Sequence, residues 1–302
     1  MNNAVAIIVA SFRPPDELVD RVRTLLTMSN TVIVSDDGSP VQFRPILDRV
    51  ESLGATVIRG TANAGIAAAL NAGIISIEGT RGAEFVLTLD QDSLPADGYL
   101  ERAVATLNRA TSAGLRPGIA SASSYSGAPV PQERRHGRSA DFDYAFDPMQ
   151  AGLVIPLATF DAIGLFDEDL FVDGVDSEFT VRARAAGFDV IVGRECSVEH
   201  HLGERSAVRM FGREIGFNYH SPTRLYYICR NGTALTLRYA MRRPGWVARR
   251  LVQETKAHAM RALLSHDRAL LARAAAAGYR DAFLRRSGPI RPALAERLSA
   301  RA

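Results

Sequence analysis

Apolar and polar positions follow a repeated order along the first ninety residues. Apolar runs at 5–10, 31–34, 56–58 and 85–89 are short and rich in strand formers, which predicts buried strands. Helical spacing lies between them. Leu18, Val22, Leu25 and Leu26 share one face behind Asp16, which is placed to cap that helix. Ile46, Leu47 and Val50 share the inner face of a helix over residues 43–53, and an alanine-rich helix follows residues 63–67 and reaches 77. The resulting βαβαβαβ order predicts a parallel sheet covered by helices.

The pattern continues less regularly. A helix is expected over 97–113, then strands at 118–123, 151–155 and 188–192. Residues 173–186 read as a helix closed by Gly187. Residues 125–147 lack periodicity and read as a long loop of the kind that often serves as a lid, and residues 193–220 also read as loop. From Thr223 to near Tyr279 the spacing is helical, broken at Pro244-Gly245. The expected division is therefore an α/β domain over 1–220 and a helical region over 221–302.

Composition changes this picture in one place. With 47% hydrophobic and 23% charged residues, the 302-residue chain is ordinary for a globular protein with an ample core. Its two cysteines, Cys196 and Cys229, have no metal-type spacing, which excludes a disulfide scaffold or a Cys-zinc site and fits a reducing compartment. The start lacks a basic leader and no apolar run reaches a membrane span, so a cytoplasmic location is expected. Charge, however, is uneven: residues 221–302 hold 17 basic against 4 acidic side chains, and the residues before them 19 against 29.

Candidate chemistry sits at strand ends. The run over 85–89 leads into Asp90-Gln91-Asp92, and open α/β sheets bind ligands just past the carboxyl ends of their strands. Two acids there call for a positive partner, and a divalent metal carrying phosphate answers that need; solvated acids with a helix cap are the plainer alternative. No G-x-G-x-x-G and no P-loop follow the first strand, which disfavours a dinucleotide or Walker-type site.

Eight segments in this order carry a resemblance. They are Val9-Ala10-Ser11-Phe12-Arg13-Pro14, Asp36-Asp37-Gly38-Ser39, Asn63-Ala64-Gly65-Ile66-Ala67, Leu89-Asp90-Gln91-Asp92-Ser93, Ile163-Gly164-Leu165-Phe166-Asp167-Glu168, Val175-Asp176-Ser177-Glu178, His200-His201-Leu202-Gly203 and Arg224-Leu225-Tyr226-Tyr227-Ile228-Cys229-Arg230-Asn231. Together they resemble family 2 glycosyltransferases of the GT-A fold, most nearly the bacterial rhamnosyltransferases that use dTDP-rhamnose. The resemblance implies a Rossmann-like, mostly parallel sheet flanked by helices with a C-terminal helical extension, and inverting transfer of L-rhamnose to a cell-envelope polysaccharide or lipid-linked glycan. It implies nucleotide-sugar contacts from Ser11, Phe12, Arg13, Asp36, Asn63, Gly65, Asp90 and Gln91. It also implies a Mg²⁺ or Mn²⁺ ion on Asp92 and His200, His200 being preferred over His201. Asp176 takes the place of the catalytic base, with Glu178 instead pairing Arg182 at i,i+4. Arg230 matches a diphosphate partner, while a cap on the helical tail or a surface ion pair stays open for it. Other readings stand beside these: a turn for Asp36, a helix cap and tight turn for Asn63 and Gly65, an N-cap for Asp176. One departure is Met149-Gln150-Ala151-Gly152, where relatives often carry Thr-Ser-Gly; it leaves the donor sugar and acceptor open.

The basic tail allows two readings. Arg238, Arg242, Arg243, Arg249 and Arg250 surround Leu237, Trp246, Leu251 and Val252, the composition of a peripheral membrane contact. The same residues suit a helical cover that mediates homo-oligomers. No stacking platform or recognition-helix motif accompanies the charge, so nucleic acid is not expected as a partner. Rivals to the dTDP-sugar reading are the same fold with UDP-glucose or UDP-galactose, a non-catalytic glycan-assembly protein, and a nucleotidyltransferase; the last lacks a Gly-rich basic loop after the first strand.

Overall fold

The computed structural model describes residues 4–77, 82–133, 141–200, 205–210, 213–218, 220–264 and 267–299. The chain divides into two compact units: Met1–Glu168 with Val175–His201, and Asp169–Gly174 with Leu202–Ala302. The first unit thus ends near 201 where the sequence suggested 220, and the short segment Asp169–Gly174 belongs with the tail.

The first unit opens with β1 (Val5–Ser11), α1 (Leu18–Met28), β2 (Val32–Asp36), a 3-10 turn (Val41–Phe43), α2 (Arg44–Ser52), β3 (Thr56–Arg59), α3 (Ile66–Ser76) and β4 (Phe85–Asp90). It continues with β5 (Leu94–Pro95), α4 (Tyr99–Ser112), β6 (Pro117–Ser121), β7 (Ser124–Tyr125), β8 (Ala128–Pro129), β9 (Gln132–Glu133), β10 (Tyr144–Ala145), β11 (Leu153–Pro156), α5 (Leu157–Ile163), α6 (Val175–Ala185), β12 (Asp189–Val192) and β13 (Ser197–Glu199). The main sheet has the order β3-β2-β1-β4-β11-β6-β12-β10-β9.

Strands β3, β2, β1 and β4 run parallel, as their unbroken apolar runs predict. All seven residues of β1 are buried, as are Val86, Leu87, Thr88 and Leu89 in β4. Truncating one of these leucines to Ala would cost about 2–5 kcal/mol. The second half is mixed: β11 lies antiparallel between β4 and β6, and β10 pairs antiparallel with β12 and β9. The antiparallel β11 has a consequence for the site, because its start lies beside the end of β4.

Three expectations change here. The stretch read as a lid contributes β7, β8, β9 and β10 among its described residues, strands of two residues that are too short to show alternation. Residues 193–220 include β13 and, in the second unit, a hairpin of β14 (Arg205–Met210) and β15 (Arg213–Asn218). Asp16 does not cap α1; its carboxylate accepts from Arg49 at 2.7 Å, and Glu17 holds the cap position without a side-chain bond.

The rest of the second unit is helical: α7 (Pro222–Tyr239), α8 (Pro244–Leu264), α9 (Arg268–Phe283) and α10 (Pro292–Ser299). Ser221 caps α7 by accepting from the Arg224 N–H, with Pro222 at the first helical position. Tyr226, Tyr227, Ala274 and Leu298 form a core shared by α7, α9 and α10. Among the described residues no helix is long and apolar enough to cross a membrane.

Candidate active site

Parallel register brings the polar loop residues to one edge. Ser11 of β1 pairs with Asp36 of β2, Ala10 pairs with Asp90 of β4, and Asp36 pairs with Arg59 of β3. Neighbouring strands lie about 4.8 Å apart, so the loops after β1, β2, β3 and β4 emerge side by side. Ser11, Phe12, Arg13, Asp36, Asn63, Gly65 and Asp90–Asp92 all belong to these strand ends and loops.

Gln91 ties two of the loops together. Its carboxamide oxygen accepts from the Ser11 hydroxyl and the Phe12 N–H, both at 3.0 Å, and its amide donates to the Phe12 carbonyl at 3.2 Å. The side chain thus pairs with Phe12 as a strand neighbour would. Arg13 is left-handed (φ 52°), its N–H donates to Ser39 Oγ at 2.7 Å, and its guanidinium lies 5.1 Å from the Phe12 ring centre.

Asp36 and its neighbour divide their work. The Asp36 carboxylate accepts from the N–H and hydroxyl of Ser39, at 2.9 and 2.5 Å, forming an Asx-type turn. Asp37 reaches across to the start of α3, where it accepts from Ala64 N–H at 2.7 Å and Gly65 N–H at 2.9 Å. Burial pushes the Asp37 pKa up, against the lowering effect of those two bonds. Gly65 is the cap residue, with φ of 101°, and Asn63 is exposed beside it. The carboxylate that holds the backbone entering α3 therefore comes from Asp37, 28 positions before Gly65, a distance that local sequence patterns do not reveal. Gly38 and Gly60 pack these loops backbone to backbone: a Cβ on Gly38 would lie 2.4 Å from the Ala62 carbonyl carbon, and one on Gly60 2.7 Å from the Asp36 oxygen.

Past β4, Asp90, Asp92 and His200 each offer a ligand atom, all within 4.8 Å of one another. His200 Nδ1 lies 2.7 Å from Ser93 Oγ, 3.3 Å from an Asp92 oxygen and 4.0 Å from an Asp90 oxygen. Burial would raise the Asp92 pKa, but the His200 bond and charge outweigh it and hold this carboxyl below the usual aspartate value. Two carboxylates and an imidazole are hard and borderline donors suited to a divalent cation, so this cluster is placed to hold one. His201, Leu202 and Gly203 lie outside the described residues.

Gln150 is the partner of Asp90 that the sequence did not expose. Antiparallel β11 starts beside the end of β4, Thr88 Oγ1 donates to the Gln150 carbonyl at 2.5 Å, and the Gln150 amide then donates to the Asp90 carboxylate. The departure at Met149–Gly152 thus bears directly on the acid pair.

Asp176 stands in the first turn of α6, and the Ser177 N–H donates to its Oδ1 at 2.7 Å. Phe179 packs against Phe160 and Phe166 at 5.3 and 4.5 Å, which fixes α6 on α5. Glu178 pairs with Arg182 through three bonds of 2.9–3.1 Å, and Arg182 also donates to the Leu165 carbonyl, so this acid is occupied in holding the helix. Tyr125 is buried beside His200. Burial, then the charges of Asp176 and Asp90, push its pKa well up, so its hydroxyl stays a donor, and it donates to the Ala151 carbonyl at 2.7 Å. Its ring meets His200 edge-on at 6.3 Å.

Arg230 is in the second unit. Its guanidinium donates to Asn231 Oδ1 and to the carbonyls of Gly288, Leu170 and Asp169, and it is 2% exposed. All of these partners also lie in the second unit, and the bonds fasten the Asp169–Gly174 segment to α7.

Comparison with known proteins agrees with this architecture. Residues 6–149 match the family model Glycosyl transferase family 2. The dTDP-rhamnosyl transferase RfbF of Shigella flexneri is 26% identical over 245 residues, 78% of this chain and 80% of that protein. Among solved structures, the mannosyltransferase PcManGT of Pyrobaculum calidifontis, in complex with GDP-Man and Mn²⁺, shares the fold with a TM-score of 0.56, 17% identity and coverage of 94% and 88%. S. aureus TarS 1-349 does so with a TM-score of 0.54, 17% identity and coverage of 92% and 80%. The chain spans 39% of a longer S. aureus TarS chain.

Proposed function

We propose that this chain, whose residues 6–149 match the family model Glycosyl transferase family 2, is a glycosyltransferase that moves L-rhamnose from dTDP-L-rhamnose, with inversion, to a cell-envelope polysaccharide or lipid-linked glycan. The relative that acts on a dTDP-rhamnosyl donor supports the donor assignment. The observation that supports the reading is the cluster of Asp90, Asp92 and His200 past the end of β4, whose ligand atoms all lie within 4.8 Å of one another.

In this reading the loops after β1, β2 and β3 hold the nucleotide. Ser11, Phe12 and Arg13 line it, with Gln91 fixing their backbone, and Asp36, Asn63 and Gly65 border the base. Asp92 and His200 hold Mg²⁺ or Mn²⁺, and Asp90 faces the nucleoside or reaches the ion through water. When bound, the cation supplies Lewis-acid stabilisation to the departing diphosphate. Asp176 accepts the proton of the acceptor hydroxyl as its oxygen bonds the anomeric carbon and the bond to the nucleoside diphosphate breaks. Ser177 N–H and the packed α6 hold that carboxylate in place. Inversion needs no second carboxylate nucleophile.

The test is a panel of sugar nucleotides with Mg²⁺ or Mn²⁺, read by thermal shift, since a ligand that binds only the native state raises the melting point. dTDP-rhamnose should give the largest shift, and Asp176→Asn should keep that shift while transfer falls by about 10²–10⁴-fold. A larger shift with a UDP-sugar would sink the donor assignment, and near-wild-type turnover by Asp176→Asn would remove it as base.

A further inference from the structure

The second unit holds a cavity of about 500 Å³, lined among others by Arg230, Arg238, Arg285, Arg286, Asp169 and Leu237. Four arginines and one aspartate are therefore among its lining residues. Asp169 itself is engaged, its carboxylate accepting from the Ser287 hydroxyl at 2.9 Å. Arg286 bonds Asp281 at 2.8 Å, but that carboxylate also takes Arg280 at 2.9 Å and lies 3.8 Å from Arg291.

Arg230 is the informative residue. Its donors meet three carbonyls and a carboxamide, and its plane lies 4.9 Å from the Tyr227 ring centre and 5.7 Å from that of Tyr226. None of these partners is an anion, and among the described residues no carboxylate lies within ion-pair distance of it. Dipoles and ring faces hold the guanidinium in place without cancelling its charge, and a buried charge is costly until it is paired. Arginine side chains around one hollow suit the oxygens of phosphate. The lining is also partly apolar, and its Leu237 is 57% exposed.

We propose that this cavity binds a phosphate or diphosphate ester, with Arg230 as its floor and Arg238, Arg285 and Arg286 as its rim. The ester comes either from solution or from a lipid headgroup. The inference stands apart from the glycosyl-transfer reading, since Asp90, Asp92, His200 and Asp176 take no part in it.

The experiment uses the full chain in EDTA, so that no cation recruits diphosphate to the acid cluster. Calorimetric titration with inorganic pyrophosphate should show saturable binding at one site. The double variant Arg238→Glu/Arg285→Glu, both on exposed side chains, should weaken it by about tenfold or more with little change in melting temperature. Arg285→Gln alone serves if the double reversal fails to fold, and should weaken binding in the same direction. Co-sedimentation with phosphatidylglycerol vesicles separates the sources: binding that pyrophosphate displaces identifies a lipid headgroup, and pyrophosphate binding without vesicle binding identifies a soluble ester. No saturable pyrophosphate binding, or binding that the rim variants leave unchanged, would overturn the proposal.

Discussion

The acid cluster of the first unit and the arginine cavity of the second solve one problem with opposite signs. Asp90 is fixed by the carboxamide of Gln150, and His200 by the hydroxyl of Ser93. Arg230 is fixed by carbonyls. In both places neutral groups help to hold a charged one, though in the first Asp92 also meets His200 at 3.3 Å. Other acids are met by guanidiniums: Glu178 meets Arg182, and Asp281 gathers Arg280 and Arg286. A buried charge is thus held in two ways here, by neutral dipoles or by an opposite charge.

The comparison breaks first at Asp92. Asp92→Asn removes a ligand atom, and metal-dependent donor binding and transfer should fall by about 100-fold or more. Undiminished Mn²⁺-dependent binding, read by titration calorimetry, would mean the cluster is ordinary surface acid. Next comes Gln150→Leu, which keeps the volume but frees the Asp90 carboxylate from its donor. Metal affinity should drop about 10–100-fold, with the fold intact by circular dichroism. An unchanged metal affinity would show that Asp90 needs no fixing.

The paired charges should respond through stability instead. Asp281→Asn leaves its arginines without a carboxylate and should cost about 1–3 kcal/mol at neutral pH. Burial alone would raise the Asp281 pKa, but Arg280, Tyr226 and Arg286 more than offset it and hold the folded value low. Its contribution is therefore present above the usual aspartate value and is lost as pH falls through the lowered one. Asp37 has the opposite sign, since burial raises its folded value. Its contribution is fullest in acid and declines as pH rises through that value, so Asp37→Asn should cost at most about 1 kcal/mol and cost less toward neutrality. Urea unfolding of both variants between pH 3 and 7 should show two opposed slopes, and parallel slopes would contradict the signs.

The strand ends were legible because β1, β2 and β4 are unbroken apolar runs whose last residues turn polar, so Ser11, Asp36 and Asp90 announce an edge by position alone. What was not legible depends on contacts across the chain. Asp37 holds the backbone entering α3 from another loop, Gln150 reaches Asp90 only because β11 runs antiparallel, and Gln91 spends its carboxamide on the backbone of Phe12. The carbonyls that surround Arg230 were hidden for the same reason, because a motif gives residue types and not neighbours. Strands β7 to β10 span two residues each, too few for a period. Tyr125 carried no signal at all, lying in a stretch whose alternation is absent.

The register Ser11↔Asp36 and Ala10↔Asp90 also bears on which changes of chain length this protein tolerates. A strand turns its side chains over with each residue, so deleting a single residue inside β4 would carry Asp90 to the opposite face or pull Leu87 and Leu89 out of the core. The same deletion in the connection before Phe85 would shorten a loop and leave both faces as they are. Length is therefore fixed to the residue along the last strand and loose just upstream of it. In a lineage of such chains, gaps should gather before position 85 and stop there.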